Sequence, residues 1–182
     1  MNTPHLLGLG FTAQVGKDTI AANLGHTWKR VGFGDGVRDL ALAINPRLTG
    51  NRIHLTELIN HMGWENAKQE PDVRQLLQGI GHGARTTIHR DIWLDLAFEK
   101  VSNYLYQGFN VVLTDVRYPN EADSIKTLGG TVVQVLRKGS LQMLHPSENQ
   151  MNNYPADHTI HNNGTIEKAV AQVLKHIGER KQ

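Results

Sequence analysis

The sequence predicts an α/β fold of three layers, in which a mainly parallel sheet of about five strands lies between helices. Short apolar runs alternate with longer stretches of helical periodicity along the chain, which is the pattern of strand–helix–strand units. Several of these runs are mostly apolar, as expected for buried parallel strands. The length of 182 residues suits one hydrophobic core, so we expect a single domain over residues 1–182.

The first part of the chain is predicted to contain one strand and five helices. An apolar run at 6–9 predicts the strand, and Ile20, Leu24 and Val31 form an apolar stripe at helical spacing after it. Pro71 suits the first turn of a helix, where its missing N–H leaves no hydrogen bond unmade. The predicted helices cover residues 17–31, 36–44, a segment within 46–70, 71–80 and 91–106.

Strands return in the second part of the chain. The runs at 110–114 and 131–136 are short, β-branched and apolar, and a weaker run lies near 159–160. The polar, proline-containing segment 137–157 is predicted to be a loop or a small lid. Two further helices are predicted at 119–128 and 165–177.

The composition excludes several classes of protein. Hydrophobic residues make up 39% of the chain and charged residues 20%, which is typical of a globular protein and not of a disordered one. A net charge of +2 is too small for a binder of polymeric nucleic acid. The absence of cysteine excludes a disulfide scaffold, thiolate metal sites and a cysteine nucleophile. No apolar run approaches the length of a membrane span, so we expect a cytoplasmic protein that does not contact a membrane.

The strongest chemical motif is the loop GFTAQVGKDT at 10–19, which follows the first strand and opens a helix. Successive backbone N–H groups and a helix N-terminus can surround phosphate oxygens, while Lys17 adds a mobile positive charge. Phe11 stands where the common phosphate-loop pattern has its first glycine. Asp18 replaces the hydroxyl residue after the lysine, which makes Thr19 the candidate hydroxyl on the Mg²⁺ side. The alternative is a glycine turn with a solvated lysine.

A second motif lies at the end of an apolar strand, in the sequence VVLTDVRYPNE at 111–121. The strand delivers Asp115 to the carboxyl edge of the sheet, where ligands of open α/β folds bind. Near a nucleotide, Asp115 would hold Mg²⁺ through water or orient the acceptor, and Arg117 would meet phosphate. The alternative is that Asp115 caps the turn before Pro119 and that Arg117 pairs with Glu121.

A third motif combines two arginines with three glycines inside a predicted helix. Glycines at 79, 81 and 83 each cost a helix about 1 kcal/mol relative to alanine, so close approach of a ligand to the backbone is one reason to keep them. Arg74 and Arg85 are 11 residues apart, about three helical turns, and would share a face if the helix were continuous. The alternative is a helix that ends near Gly79 and leaves both arginines in solvent.

Taken together, these segments resemble the bacteriophage deoxynucleoside monophosphate kinases, a family within the P-loop nucleoside-monophosphate-kinase-like group. The matching segments run in the family's order over nearly the whole chain. They are GKDT at 16–19, GDGVRDL at 34–40, VRQLLQGIGHGAR at 73–85, IWLDLAF at 92–98, TDVRYPNEAD at 114–123, LGGTVVQVLR at 128–137 and DHTIHNNGTIEKAV at 157–170.

The resemblance implies an adenylate-kinase-like fold with ATP and Mg²⁺ as donor and cofactor and a deoxynucleoside monophosphate as acceptor. It implies an acceptor-binding region at about 34–93 and a lid at about 137–157, with Asp18, Thr19 and Asp115 on the metal side, partly through water. The residues implied to bind ATP are Ala13, Gln14, Val15, Gly16, Lys17, Asp18, Thr19, Arg137, Asn162, Asn163 and Gly164. Those implied to bind the acceptor are Arg38, Arg74, Gly81, His82, Arg85, Trp93, Asp115 and Arg117. Those implied to act in catalysis are Lys17, Arg38, Arg74, Arg85, Asp115, Arg117 and Arg137.

The resemblance further implies small nucleotides as the partners, no polymeric nucleic acid, and a homodimer. A phage-encoded chain would act in the host cytoplasm. Two other functions remain open at this stage. One is a different small-molecule P-loop kinase, such as a dephospho-coenzyme-A kinase, and the other is a nucleotide-binding regulatory module without acceptor chemistry.

Overall fold

The computed structural model describes residues 3–12, 14–50, 52–139, 151 and 153–178. In this part of the chain, five strands form one sheet in the order β2-β3-β1-β4-β5. The strands are β1 (Leu6–Gly10), β2 (Trp28–Val31), β3 (Asn110–Val116), β4 (Thr131–Leu136) and β5 (His158–His161). The helices are α1 (Lys17–Ala22), α2 (Asp35–Ile44), α3 (Leu55–Met62), α4 (Trp64–Ala67), α5 (Pro71–Thr87), α6 (Ile92–Tyr106), α7 (Pro119–Thr127) and α8 (Ile166–Gly178).

All neighbouring strands are parallel, and β1 lies at the centre of the sheet. Leu7 of β1 pairs with Val112 of β3 on one side and with Thr131 of β4 on the other. Because the strands share one direction, the loops that follow them all leave from the same edge of the sheet. This is the edge at which open α/β folds bind their ligands.

Side chains of β1 alternate between the two faces of the sheet. Leu7 and Leu9 are fully buried in a cluster that contains Ile20 of α1 and Val173 of α8. The opposite face carries Gly8, where a Cβ atom would lie 2.6 Å from Cδ1 of Ile125 on α7. The glycine therefore allows α7 to pack directly on the sheet, and the three layers of the prediction are confirmed.

The chain forms two compact units, which are residues 1–32 with 98–182, and residues 33–97. The first unit contains the sheet. The second has a hydrophobic core of its own to which α2, α3, α4 and α5 contribute. The buried members of that core are Ala41, Leu48, Leu55, Leu58, Ala67 and Val73.

Most of the predicted elements are confirmed, but the helix predicted over 17–31 is wrong. α1 ends at Ala22, and Trp28–Val31 forms the edge strand β2. Gly25, with a φ of 106°, makes the turn between the two elements. The apolar spacing suggested one helix because Val31 is buried from a strand and still falls on the stripe that Ile20 and Leu24 began.

The helix predicted at 71–80 is longer than expected. α5 runs to Thr87 without a break at Gly79, so the alternative in which the helix ends there is wrong. No helix among the described residues has both the length and the apolar character needed to cross a bilayer. Of the predicted lid at 137–157, residues 140–150 and 152 lie outside the described part of the chain.

Candidate functional site

The loop between β1 and α1 has the backbone conformation of a phosphate loop. Gln14 and Gly16 have positive φ angles of 58° and 89°, with Val15 between them. Alternation of left-handed residues with ordinary ones produces the concave backbone arrangement that binds anions. Ala13, the remaining predicted member, lies outside the described residues. Lys17 is the first residue of α1, and its Nζ donates a hydrogen bond to the carbonyl oxygen of Thr12 in the same loop.

Phe11 takes the conformation that a glycine would normally supply. Its φ is 91°, and a left-handed conformation costs an ordinary L-residue about 1–2 kcal/mol. Its N–H donates to the carbonyl oxygen of Val116 at 3.2 Å, and its side chain is buried. The preceding glycine, Gly10, is the last residue of β1, and it has no room for a side chain because a Cβ there would lie 2.7 Å from the same carbonyl oxygen. The loop therefore begins at Phe11.

A hydrogen bond joins the start of α1 to the end of β3. The hydroxyl of Thr114, a buried residue, donates to Oδ1 of Asp18 at 2.8 Å, and Nε of Arg30 donates to the same oxygen at 3.3 Å. Asp115 follows Thr114 directly, and Thr19 lies on the exposed side of α1. This link explains why an aspartate can follow the lysine of the loop, a position at which a hydroxyl residue is usual.

The donor groups near the loop fit a Mg²⁺ ion that is held mainly by water and phosphate. Mg²⁺ commonly takes one or two carboxylates and completes its shell with water and substrate oxygens. Asp18 and Asp115 supply carboxylates and Thr19 a hydroxyl, and over the described ranges no three His, Asp or Glu side chains form a metal-binding cluster. These three residues are therefore too few to coordinate Mg²⁺ without water and phosphate oxygens.

The turn after β5 contacts the phosphate loop directly. Nδ2 of Asn162 donates to the carbonyl oxygen of Val15 at 2.8 Å. The backbone N–H of Asn162 donates to the carbonyl oxygen of Leu136, also at 2.8 Å. A Cβ at Gly16 would lie 2.6 Å from the same Nδ2, so the amide occupies the space that the glycine leaves. Asn163 accepts a hydrogen bond from the N–H of Lys138 at 2.6 Å. Asn162 and Asn163 thus hold both the loop and the chain on either side of Arg137.

Glu121 organises the turn that carries Arg117. Its Oε2 accepts hydrogen bonds from the backbone N–H groups of Arg117 at 2.7 Å and of Tyr118 at 3.1 Å, at the start of α7. Burial raises the pKa of Glu121 to about 7, with a further rise from the Asp115 carboxylate, although the two N–H groups act in the opposite direction. In the alternative interpretation of this motif, the Arg117 side chain pairs with Glu121. The hydrogen bond is instead from the Arg117 backbone, and the exposed Arg117 side chain makes only the smallest contribution to the pKa of Glu121, which it lowers.

In the second unit, Trp93 contacts both α5 and α2. Its Nε1 donates to the carbonyl oxygen of Gly81 at 2.9 Å, and its ring covers Gly36, where a Cβ would lie 2.9 Å from Cε3. Only 9% of Trp93 is exposed. Arg38 lies 3.5 Å from Asp35 and over the ring of Trp64, at 5.6 Å from its centre. Of the Trp93 side chain, only this small exposed part is open to an acceptor.

The continuous helix α5 places Arg74 and Arg85 on one face but far apart. Eleven residues at a rise of about 1.5 Å separate them by about 16 Å along the axis. Nη2 of Arg74 donates to Gln69 at 3.3 Å and Nε of Arg85 donates to the carbonyl oxygen of Arg90 at 3.2 Å, so the two side chains extend toward opposite ends of the helix. The two guanidinium groups do not converge on one phosphate in this arrangement.

The glycines of α5 differ from one another. A Cβ built at Gly81 would meet Val37 at 3.8 Å, so this glycine faces α2. Within the described part of the same unit, no atom lies within 4 Å of a Cβ built at Gly79 or Gly83, and these two residues share another face. His82 is exposed beside them. The backbone at Gly79 and Gly83 is therefore open, on the side of α5 opposite to Arg74 and Arg85.

Sequence reasoning missed Thr114 and a cluster around Tyr154. The hydroxyl of Tyr154 donates to Oδ1 of Asp123 on α7 at 2.7 Å. Burial and this carboxylate raise the pKa of Tyr154 to about 12, so the hydroxyl remains a donor at neutral pH. Thr114 lies inside a motif that was recognised, and its buried position in a strand was the available signal. Tyr154 offered none, because its partner is 31 residues away.

The parallel sheet with a phosphate loop after its central strand defines a kinase fold of the P-loop class. A crystal structure described as "a putative kinase from Chloroflexus aurantiacus J-10-fl" has a similar fold, with a TM-score of 0.51 and 12% identity over 100% of both chains. A shikimate kinase from Aquifex aeolicus aligns with a TM-score of 0.44 and 12% identity over 95% of this chain and 96% of its own.

Residues 39–173 match the family model of deoxynucleotide monophosphate kinase, which is more than half of the chain, and the chain belongs to that family. A "Putative deoxynucleotide monophosphate kinase" of Acanthamoeba polyphaga mimivirus is 38% identical over 74 residues, which is 40% of this chain and 38% of the relative. An uncharacterized protein of Ictalurid herpesvirus 1 (strain Auburn) is 32% identical over 103 residues, which is 54% of this chain and 45% of the relative. The chain thus spans less than half the length of each curated relative.

The raised pKa of Glu121 predicts a specific dependence of stability on pH. Because the folded pKa of about 7 exceeds the ordinary value of 4.5, the folded protein binds more protons than the unfolded chain between these pH values. The free energy of unfolding must then fall as the pH rises through this window. Glu121→Gln removes the titration and keeps an acceptor for the two N–H groups. We expect its Tm to exceed that of the wild type at pH 8 by about 3 °C, on the order of 1 kcal/mol after solvent screening, and to match it near pH 4.5.

Thermal melting of both proteins between pH 4.5 and pH 8 measures this effect. Glu99→Gln, at an exposed position of α6, controls for the change in net charge. If the difference in Tm between the wild type and Glu121→Gln is the same at every pH in this range, the raised pKa of Glu121 is contradicted.

Proposed function

We propose that this protein transfers the γ-phosphoryl group of ATP to the 5′-phosphate of a deoxynucleoside monophosphate, with Mg²⁺ as the cofactor. The observation that carries the proposal is the phosphate loop, with Lys17 at its end and Asn162 against it, in a chain of the deoxynucleotide monophosphate kinase family. An acceptor phosphate oxygen forms the new bond to the γ-phosphorus. The bond to the bridging oxygen breaks, and ADP leaves with the electron pair.

The acceptor needs little help to become a nucleophile. A 5′-phosphate has a second pKa near 6, so most of it is already a dianion at pH 7, and no general base has to remove a proton. The barrier arises from repulsion between two anionic groups and from charge on the transferred phosphoryl group. Fixed cations and N–H donors lower that barrier electrostatically. Mg²⁺ supplies further positive charge when it is bound.

The predicted residues of the sheet unit bind ATP, hold the cation and neutralise charge in this proposal. Lys17 and the loop bind the β- and γ-phosphates, and the turn at Asn162–Gly164 approaches the adenine. Asp115, with Thr19 and Asp18, holds the cation partly through water. Arg117 and Arg137 neutralise charge on the transferred phosphoryl group. The support for these roles is that all these residues lie in the sheet unit. Lys17, Asp18 and Thr19 open the helix after the phosphate loop. The others lie at or just after the end of a strand.

Six of the eight acceptor residues of this proposal belong to the second unit, and the other two, Asp115 and Arg117, belong to the sheet unit. The six are Arg38, Arg74, Gly81, His82, Arg85 and Trp93. The support for this role is that Gly81 lies on the same face of α5 as Arg74 and Arg85. This face meets α2, which carries Arg38, since a Cβ at Gly81 would lie 3.8 Å from Val37. Since the side chains of Arg74 and Arg85 diverge, we propose that only one of them binds the 5′-phosphate.

The cellular setting is also part of the proposal. The curated relatives are viral proteins, which supports a viral origin, and a bacteriophage origin would place the reaction in the host cytoplasm. We further propose small nucleotides as the partners and a homodimer as the assembly.

Lys17→Ala tests the donor site. The lysine charge counts more in the transition state than in bound ATP, so we expect kcat to fall by about 10²–10³-fold while the fold is retained. Steady-state rates of ADP formation and a melting curve measure the two effects. Lys29→Ala, which removes the same charge from the edge strand β2, should leave kcat nearly unchanged. Near-normal turnover of Lys17→Ala would refute the proposed donor site.

Arg85 and Arg74 together test the acceptor site, because they share a helix face but differ in burial. Arg85 is half-buried and Arg74 exposed, and an ion pair gains more where water screens it less. We expect Arg85→Ala to raise the acceptor KM at least tenfold, about 1.4 kcal/mol, and Arg74→Ala to raise it less. Arg85→Lys should recover only part of the loss, since lysine lacks the bidentate fork.

Kinetics in which the two substrates are varied separately measure both arginine variants, and the KM for ATP should change little. A similar acceptor KM in wild type, Arg74→Ala and Arg85→Ala would move the phosphate-binding role to Arg38 or Arg117.

A further inference from the structure

An aromatic contact fixes the first residue of the phosphate loop from outside the loop. The ring of Phe11 meets the ring of Tyr154 edge to face, with centroids 6.1 Å apart and an angle of 83° between the planes. Tyr154 belongs to the segment that leads into β5, more than 140 residues later in the chain. Edge-to-face pairs of this kind are attractive beyond the area that they bury.

Phe11 needs such a contact because its backbone conformation is unfavourable. A phenylalanine with a φ of 91° relaxes toward negative φ unless its surroundings hold it. The hydrogen bond from its N–H to Val116 holds the backbone on one side. The Tyr154 ring holds the side chain. If Phe11 relaxed, the residues that follow it would lose the conformation in which their N–H groups can surround phosphate.

Tyr154 is itself held in place by α7. Its hydroxyl donates to Asp123, and the ammonium group of Lys126 lies 4.9 Å from the centre of its ring. Lys126 also donates to the carbonyl oxygen of Pro155 at 2.8 Å and lies 3.3 Å from Asp157. Asp157 in turn accepts a hydrogen bond from the N–H of Val132 on β4 at 2.8 Å. These contacts make the tyrosine ring a fixed surface against which Phe11 rests.

We propose that Tyr154 is a positioning residue for ATP, which acts through Phe11 by holding the phosphate loop in its binding conformation. This inference rests on the proposed function, since it takes ATP as the ligand of the loop. Tyr154 touches no reacting atom in this role. Its loss lowers the fraction of molecules whose loop can bind phosphate, and the apparent affinity for ATP falls by that fraction.

Direct binding of ATP with Mg²⁺, measured by calorimetry on the full chain without acceptor, tests the proposal. We expect Tyr154→Ala to raise the Kd for ATP at least fivefold, about 1 kcal/mol, with the acceptor KM unchanged. Tyr154→Phe keeps the ring and should stay within twofold of the wild type. Phe11→Leu removes the other ring and should resemble Tyr154→Ala. The double variant should be no weaker than either single variant, because both break one contact.

Tyr104 provides a matched control in the same unit. Its ring meets that of Phe109 edge to face, with centroids 6.4 Å apart and an angle of 88°. Tyr104→Ala removes the same kind of pair from the end of α6, so it should lower the Tm and leave the Kd for ATP unchanged. Should Tyr154→Ala fail to fold, Tyr154→Leu replaces it in the same comparison, since leucine keeps bulk without an aromatic edge.

The outcomes separate this inference from the proposed function. A wild-type protein that does not bind ATP refutes the proposed function. A wild type that binds ATP, together with a Tyr154→Ala variant of equal affinity, refutes the positioning role alone. The positioning role is also refuted if Tyr104→Ala raises the Kd for ATP as much as Tyr154→Ala does. It is refuted as well if the increases in Kd caused by Phe11→Leu and Tyr154→Ala multiply in the double variant.

Discussion

Every strand of the sheet runs in the same direction, and this constraint decides where the chemistry of the sheet unit can lie. The carboxyl ends of β1, β3, β4 and β5 meet at one edge, so the loops that follow them become neighbours although they are far apart in sequence. The phosphate loop follows β1, Asp115 is the last but one residue of β3, Arg137 follows β4 and Asn162 follows β5. Reversal of any one strand would carry its loop to the opposite edge.

The phosphate loop is held from several of these neighbours at once. At the end of β3, the carbonyl oxygen of Val116 accepts a hydrogen bond from the N–H of Phe11, and the hydroxyl of Thr114 donates to Asp18. After β5, the side-chain amide of Asn162 donates to the carbonyl oxygen of Val15. A loop that is fixed before the substrate arrives does not have to be ordered during the reaction. That is the condition under which N–H groups and a lysine stabilise developing charge most effectively. In the proposed function, the bonds to the sheet contribute to catalysis because they fix the loop.

The sequence allowed the fold class and most elements to be predicted because those signals are local. A strand, a glycine-containing loop and a lysine follow one another within residues 6–17, and buried strands such as β3 and β4 are built around short apolar runs, at 111–113 and 132–133. β2 could not be predicted in the same way. It is a four-residue edge strand with only Val31 buried, and its spacing agrees with the helix before it. Only its pairing with β3 makes it a strand.

The site could be predicted less completely, because its contacts join distant residues. Asn162 and Val15 are 147 positions apart, Thr114 and Asp18 are 96 apart, and no spacing rule connects them. The divergence of Arg74 and Arg85 depends on α5 being unbroken through three glycines, whereas glycine propensity alone favoured an earlier end. The role of Phe11 required its φ angle, since the sequence alone showed only a missing glycine.

In the proposed function, the loop and its neighbours transfer a phosphoryl group to a deoxynucleotide. The most direct test is an acceptor panel with the wild-type protein, ATP and Mg²⁺. It contains the four common deoxynucleoside monophosphates, their ribose counterparts, dephospho-coenzyme A and a sample without acceptor. We expect ADP to form with at least one deoxynucleotide, in equal amount to the corresponding diphosphate, and only slowly without acceptor. ADP formation that is independent of every acceptor, or that depends on dephospho-coenzyme A alone, would contradict the claim.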